Sequence, residues 1–187
     1  MTHIKVIQHH EAIDRLKDIY DGLVKKRGKL AEVHKIQSLN PESIVNHMDL
    51  YMTIMFGKSP IKRYQREMIA VVVSSGNRCS YCITHHGEAL NHFWKDEEKI
   101  EILIKDFQAA DISEIDKALC HYAHDLTINP GNGNFDQHCK NLKALGLEDR
   151  AILDCTLVVG YFNFVNRMVT GLGVELEVDG GKGYEYD

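Results

Sequence analysis

Apolar residues recur every three or four positions along most of this chain, as in Ile13, Leu16, Tyr20 and Leu23, or Ile44, Met48, Tyr51, Met52 and Met55. That period gathers each stripe on one helical face, whereas the strict alternation of a half-buried strand is scarce. The pattern predicts an all-α fold with helices at roughly 10–26, 41–56, 60–75, 80–92, 96–107, 113–128, 134–145 and 148–171. Asn40-Pro41 and Ser59-Pro60 each set a capping residue before a proline suited to a first helical turn. Val71-Val72-Val73 has the β-branching of a short buried strand, but it lies inside a longer helical period and is read as helix.

The densest cluster of turn formers, Asn129-Pro-Gly-Asn-Gly-Asn134, divides a first half of about 1–128 from a second of about 134–172 within one domain spanning 1–187. Laying residues 66–86 on 150–170 pairs Arg66 with Arg150, Met68 with Ile152, Ile69 with Leu153 and Gly76 with Gly160. Two readings stay open: a degenerate repeat whose second copy keeps a helix and lacks the chemistry, or the chance likeness of two amphipathic helices. The tail 173–187, with Gly180-Gly-Lys-Gly183 and Tyr184-Glu-Tyr-Asp187, reads as irregular chain that wraps a neighbouring subunit or frays.

A hydrophobic content of 44% over 187 residues is enough for a real core, which excludes a disordered chain. A net charge of -5 offers no broad basic surface, so nucleic acid is not an expected partner. The start Met1-Thr-His-Ile-Lys-Val-Ile lacks the apolar core of a signal peptide, and no apolar run approaches the roughly 20 residues of a membrane span. A soluble, cytoplasmic protein without membrane partners is expected. Its cysteines, Cys79, Cys82, Cys120, Cys139 and Cys155, are odd in number, which does not suit a scaffold closed by structural disulfides.

The chemistry concentrates between Glu67 and His86. Ser75-Gly76-Asn77 tolerates a left-handed backbone and is expected to end one helix, leaving Cys79 at or just before the start of the next. Orphan amides and the helix dipole there lower a thiol pKa, so both Cys79 and Cys82 should gain thiolate character. Their spacing of three puts them on one face within reach of a disulfide, and His86 lies one turn beyond Cys82 as a proton acceptor or donor. Glu67 borders the apolar run 68–73; facing inward, with a pKa raised by desolvation, it would act as a general base. Taken alone, C-x-x-C fits redox chemistry, a metal site or no chemistry at all. Zinc on Cys79, Cys82, His85 and His86 would need four ligands from under two helical turns to converge on one tetrahedral ion, with no second C-x-x-C to help. Cys120, Cys139 and Cys155 read as small buried hydrophobes, His121 and His124 form no compelling site, and Met48, Met52 and Met55 suit a core or subunit interface.

Glu67, eleven residues, Cys79-x-Tyr81-Cys82, three residues, His86: this spaced pattern resembles the core motif of the alkylhydroperoxidase D family within the carboxymuconolactone decarboxylase superfamily. The run from Tyr161 to Leu176 resembles the peroxidase-related branch, and the likeness covers nearly the whole chain. It implies an antioxidant homo-oligomer, whether dimer, trimer or hexamer, that reduces hydroperoxides without metal or organic cofactor. By the same likeness Cys82 is the peroxidatic sulfur, Cys79 resolves its sulfenic acid as a disulfide, and Glu67 and His86 relay protons. A lipoylated, thioredoxin-like or other dithiol protein would supply electrons. Well-known members carry histidine where this chain has Tyr81, a poor base at neutral pH, which implies slow turnover or substitution by His85. Helix position alone points instead to Cys79 as nucleophile. The residues also leave room for a protein dithiol oxidoreductase with incidental peroxide activity, a decarboxylase-like helical protein with vestigial cysteines, or a scaffold without catalysis.

Overall fold

The computed structural model describes residues 2–180, and among these the chain is helical with no strand. A 3-10 turn at His9–Glu11 precedes α1 (Asp14–Arg27), the short α2 (Glu32–Lys35) and α3 (Pro41–Tyr51), which runs into a π-helical turn at Met52–Phe56. Then come α4 (Arg63–Gly76), α5 (Ser80–Trp94), α6 (Glu97–Lys105), α7 (Glu114–Ile128), α8 (Phe135–Ala144) and α9 (Asp149–Leu172). No helix among the described residues is long and apolar enough to cross a membrane.

The centre of the molecule is α4. Every residue from Gln65 to Ser74 is buried, because α5, α7 and α9 pack around it and leave no face for solvent. Val71, Val72 and Val73 are helical here: enclosure on all sides outweighs their modest strand preference. Met68, Ile69, Leu90, Leu119, Val159 and Phe162 join this core, while Leu16, Ile19, Tyr20, Leu23 and Ile44 form a smaller one between α1 and α3. The buried Arg66 guanidinium donates to the carbonyls of Ile54, Met55 and Ile61 at 3.1, 2.8 and 3.0 Å, supplying partners to backbone that leaves regular helix after the π turn.

Several expectations change in detail. Pro41 opens α3 behind Asn40, but α4 begins at Arg63, three residues beyond Pro60. The Ser59 hydroxyl accepts from the Ile61 amide at 3.0 Å and makes a turn instead of a cap. Residues 66–86 form two helices around a turn, whereas 150–170 lie in one unbroken helix, so the stretches are not copies of one structural unit. The tail does not simply fray: its described part lies against the N-terminal segment, with Lys29 Nζ 2.9 Å from Asp179. The features placed at 181–187 fall outside the described residues. Cys120 and Cys155 are buried as expected, but Cys139 is partly exposed on α8.

The turn after α4 sets the site and departs from expectation in one residue. Arg78, not Gly76 or Asn77, takes the left-handed conformation, with φ 56°. The Cys79 amide donates to the Ser74 carbonyl at 2.9 Å and the Arg78 amide to Ser75 at 3.0 Å, the paired closure of a Schellman turn. Gly76 allows a close approach of α7: a Cβ there would stand 3.3 Å from Thr127 and 3.4 Å from Ile128 side-chain carbons, tighter than ordinary contact. A non-glycine residue in this conformation costs on the order of 1–2 kcal/mol. Arg78→Gly is therefore expected to hold or raise the melting temperature and Arg78→Val to lower it by roughly 2–4 °C or more. Thermal melts by circular dichroism read both.

Candidate active site

Cys79 is the N-cap of α5, and Cys82 follows one turn later, its sulfur 2.7 Å from that of Cys79. Both thiols are free and buried. Closing them to a disulfide of about 2.05 Å needs a sulfur displacement well under 1 Å. Cys82 lines a cavity of ≈ 90 Å³ with Tyr81, His85 and His86 from α5, His34 and Val33 from α2, and Tyr161 and Phe162 from α9.

Their electrostatics differ from expectation, since only one thiol is acidified. The Cys82 thiol donates to the Cys79 sulfur and thereby holds the Cys79 pKa down to about 7, against burial that raises it; the Cys82 backbone amide and Thr170 add to the lowering. For Cys82 the same hydrogen bond works in reverse and raises its pKa, reinforced by burial and by the neighbouring charge on Cys79. The cause is mutual. Two sulfurs this close share one negative charge, and the remaining proton lies between them.

Glu67 is fully enclosed in α4 and faces the site. One carboxylate oxygen stands 2.6 Å from His86 Nδ1, and the other pairs with Arg63 one turn earlier. A carboxylate only accepts when ionised, so Nδ1 of His86 carries the proton and Nε2 is left for other partners. The ring of His86 stands nearly perpendicular to Phe162, 4.4 Å between centroids. Burial alone would raise the Glu67 pKa, as the sequence suggested, but His86 and Arg63 outweigh it and the net shift is downward. Glu67 is thus an ionised anchor for His86 and not a desolvated base.

Arg63 went unnoticed in the sequence, although its place four residues before a buried carboxylate was a visible signal. Asn166 and Thr170 on α9 carried no such signal. Asn166 bridges Asn77 Nδ2 and Ser74 Oγ, at 3.0 and 3.1 Å, and contributes to the polar surroundings of Cys82. Glu177 was also missed: it reaches back from the tail to accept from Tyr81 Oη at 2.8 Å and from the Glu32 amide at 3.1 Å, with its other oxygen 2.9 Å from His85 Nε2. Tyr81 and His85 thus turn toward a carboxylate and fasten α5 to α2. His121 lies away from the cysteines, its ring 4.9 Å from Phe107. Among the described residues no cluster of histidine, cysteine and carboxylate side chains is arranged to hold a metal ion.

Residues 46–122, which contain Arg63, Glu67, both site cysteines and His86, match the model of the carboxymuconolactone decarboxylase family. The whole chain has the fold of the AhpD-like proteins. It superimposes on the alkylhydroperoxidase AhpD core of a peroxidase-related protein from Ralstonia eutropha JMP134 with a TM-score of 0.85 and 20% identity, over 96% of this chain and 94% of that one. A peroxidase-related protein from Silicibacter sp. TM1040 gives a TM-score of 0.83 and 27% identity over 97% of each chain. A cysteine-to-alanine variant of the debrominase Bmp8, in complex with 2,3,4-tribromopyrrole, gives 0.79 and 20% over 96% of this chain and 94% of that one. None of the curated proteins matches the chain in sequence. The family segment ends before α9 and the tail, so Asn166, Thr170 and Glu177 are additions to it from the rest of the chain.

Two measurements check these electrostatics. Cys82→Ala removes the thiol donor and is expected to move the Cys79 thiol upward from about 7, read as thiolate ultraviolet absorbance against pH. Glu177 lies below its usual 4.5 because His85, the Glu32 amide and its own amide outweigh burial, so its stabilising effect is complete above that pH and lost as pH falls through the folded-state value. Glu177→Gln is expected to melt earlier than the parent near neutrality, with the gap closing as the pH drops below 4.5.

Proposed function

We propose that this protein is a thiol peroxidase that reduces organic hydroperoxides through a Cys79/Cys82 dithiol–disulfide cycle. The observation that carries the reading is the sulfur pair 2.7 Å apart beside a buried Glu67–His86 pair, with Cys82 as the sulfur that lines the cavity. Recycled dithiols need contact between the sulfurs, a charge on one of them and a proton carrier; this arrangement supports all three.

Cys82 attacks, because substrate in the cavity meets that sulfur. Its proton passes to His86 Nε2 or along the sulfur–sulfur contact to Cys79, leaving a Cys82 thiolate. This attacks the distal oxygen of the hydroperoxide; the O–O bond breaks, the alkoxide leaves as alcohol with a proton returned by His86, and Cys82 becomes a sulfenic acid. Cys79, the more acidic sulfur, then attacks the Cys82 sulfur, the S–O bond breaks and water departs. In sum, one hydroperoxide and two thiols give one alcohol, one water and one disulfide. A dithiol carrier protein restores the pair. Glu67 holds His86 in the tautomer whose Nε2 is free for this traffic, and Arg63 keeps Glu67 ionised while it does so. Tyr81 and His85 shape the cavity wall, both fastened by Glu177.

A second reading is favoured by the aromatic wall of Tyr51, Tyr161 and Phe162 around Cys82, together with the likeness to a debrominase that binds a bromopyrrole. The same dithiol would convert a halogenated arene and two thiols to the arene, a disulfide and hydrogen halide.

Stopped-flow oxidation of the reduced protein by cumene hydroperoxide is expected to consume two thiols per peroxide. Cys82→Ser should abolish the reaction, and Cys79→Ser should leave a trapped sulfenic acid at Cys82, seen by mass spectrometry. Glu67→Gln and His86→Asn should each slow it by about 10²–10⁴, the usual range for a positioned acid or base. Full activity in either cysteine variant overturns the peroxidase reading; release of bromide from a bromopyrrole without peroxide turnover favours the second.

A further inference from the structure

The cavity beside Cys82 has one wall that the redox reading leaves unexplained. Arg27, the last residue of α1, is turned inward and lines it, whereas its neighbours Lys25 and Lys26 are exposed. Among the described residues no carboxylate lies within ion-pair distance of its guanidinium, although most other cations near the site are paired: Arg63 with Glu67, Lys29 with Asp179 and Lys35 with Glu32. Its hydrogen bonding is weak and to neutral groups: Nη1 reaches the Met52 sulfur at 3.8 Å, a weak acceptor, and the guanidinium also engages the Tyr51 hydroxyl. The guanidinium stacks on the Tyr51 ring, 5.3 Å from the centroid, which orients the planar fork without neutralising it.

The rest of the lining does not compete for that charge. Ala31, Val33, Ala89, Phe162 and Val165 are apolar. His34 and His47 are uncharged near neutrality, since burial lowers them to about 3 and about 4. His47 is already engaged, Nδ1 2.7 Å from Gln37 Nε2 and Nε2 2.6 Å from Tyr161 Oη, and the carboxylates of Glu67 and Glu177 are held by His86, Arg63 and His85. A half-buried cation with no counter-ion among the described residues, lining the same largely apolar cavity as a reactive sulfur, suits a site for an amphipathic anion.

We propose that Arg27 is the carboxylate-recognising residue of this site, and that the substrate is a small hydrophobic molecule bearing a carboxylate at the end remote from the group that Cys82 attacks. The proposal rests on the peroxidase reading for the nature of that group, but not for the carboxylate. A carboxylate, planar and singly charged, matches the guanidinium fork with two parallel hydrogen bonds and loses less hydration than a phosphate in entering a cavity of this polarity.

Binding and turnover separate the two ideas. The reduced protein is titrated by calorimetry with 4-isopropylbenzoate, which carries the carboxylate and no peroxide, and with neutral isopropylbenzene. The benzoate is expected to bind at least ten times tighter, a preference that Arg27→Gln abolishes and Arg27→Lys partly keeps. In parallel, stopped-flow oxidation compares cumene hydroperoxide with its para-carboxylated analogue, and the ratio of the two rate constants is expected to fall at least tenfold in Arg27→Gln. Matched melting temperatures of the three proteins exclude a folding defect as the cause. Equal binding of the two probes by the unaltered protein, or a preference that survives Arg27→Gln, overturns the carboxylate site even if both peroxides are reduced. Tight, Arg27-dependent binding of the benzoate with neither peroxide consumed upholds the site and overturns the peroxidase reading.

Discussion

The site is organised around the Glu67 carboxylate, a charge buried in the most enclosed helix of the molecule. An isolated ion there would cost several kcal/mol, so its position is tenable only while Arg63 and His86 both engage it. Arg63 lies one turn away on the same helix and follows wherever α4 goes. His86 belongs to α5, and its bond to Glu67 settles how α5 must lie against α4. Because Cys79 and Cys82 open α5, satisfying one buried charge also sets where the sulfurs stand.

That dependence accounts for the turn between the two helices. A left-handed Arg78 is tolerated because the Schellman closure and the α4–α5 packing determine the backbone at that point. The reversal delivers Cys79 to the N-cap of α5, where amide donors favour a thiolate, and brings Cys82 close enough to donate to it. The two sulfurs therefore behave as a single acid with a depressed first ionisation, and not as two independently activated thiols. Division of labour within the pair follows from access, since Cys82 alone of the two lines the cavity.

The remaining walls come from sequence far from the motif. Helix α9 supplies Tyr161 and Phe162 to the cavity and Asn166 and Thr170 beside the sulfurs, and the tail supplies Glu177, which ties the cavity residues Tyr81 and His85 to the amide of Glu32 at the start of α2. Segments at opposite ends of the chain thus meet over a centre that the family segment carries within 46–122. A shared fold can carry different chemistries, as the presence of both peroxidase-related proteins and a debrominase among the structural relatives illustrates.

By itself the sequence determined the helical class, the approximate span of each long helix and the grouping of Glu67, Cys79, Cys82 and His86. All of these rest on local periodicity and on residues within about six turns of one another, joined by a single reversal, where helical geometry leaves few choices. Only the tertiary structure decided which residue of the turn adopts the left-handed backbone, that the Glu67 pKa is lowered and not raised, that one thiol of the pair is acidified at the expense of the other, and that Arg27 and Glu177 reach the site. The physical reason is common to these cases. Charge and proton affinity depend on the balance between desolvation and partners in space, and the partners that tip it come from other helices, which no spacing along the chain records.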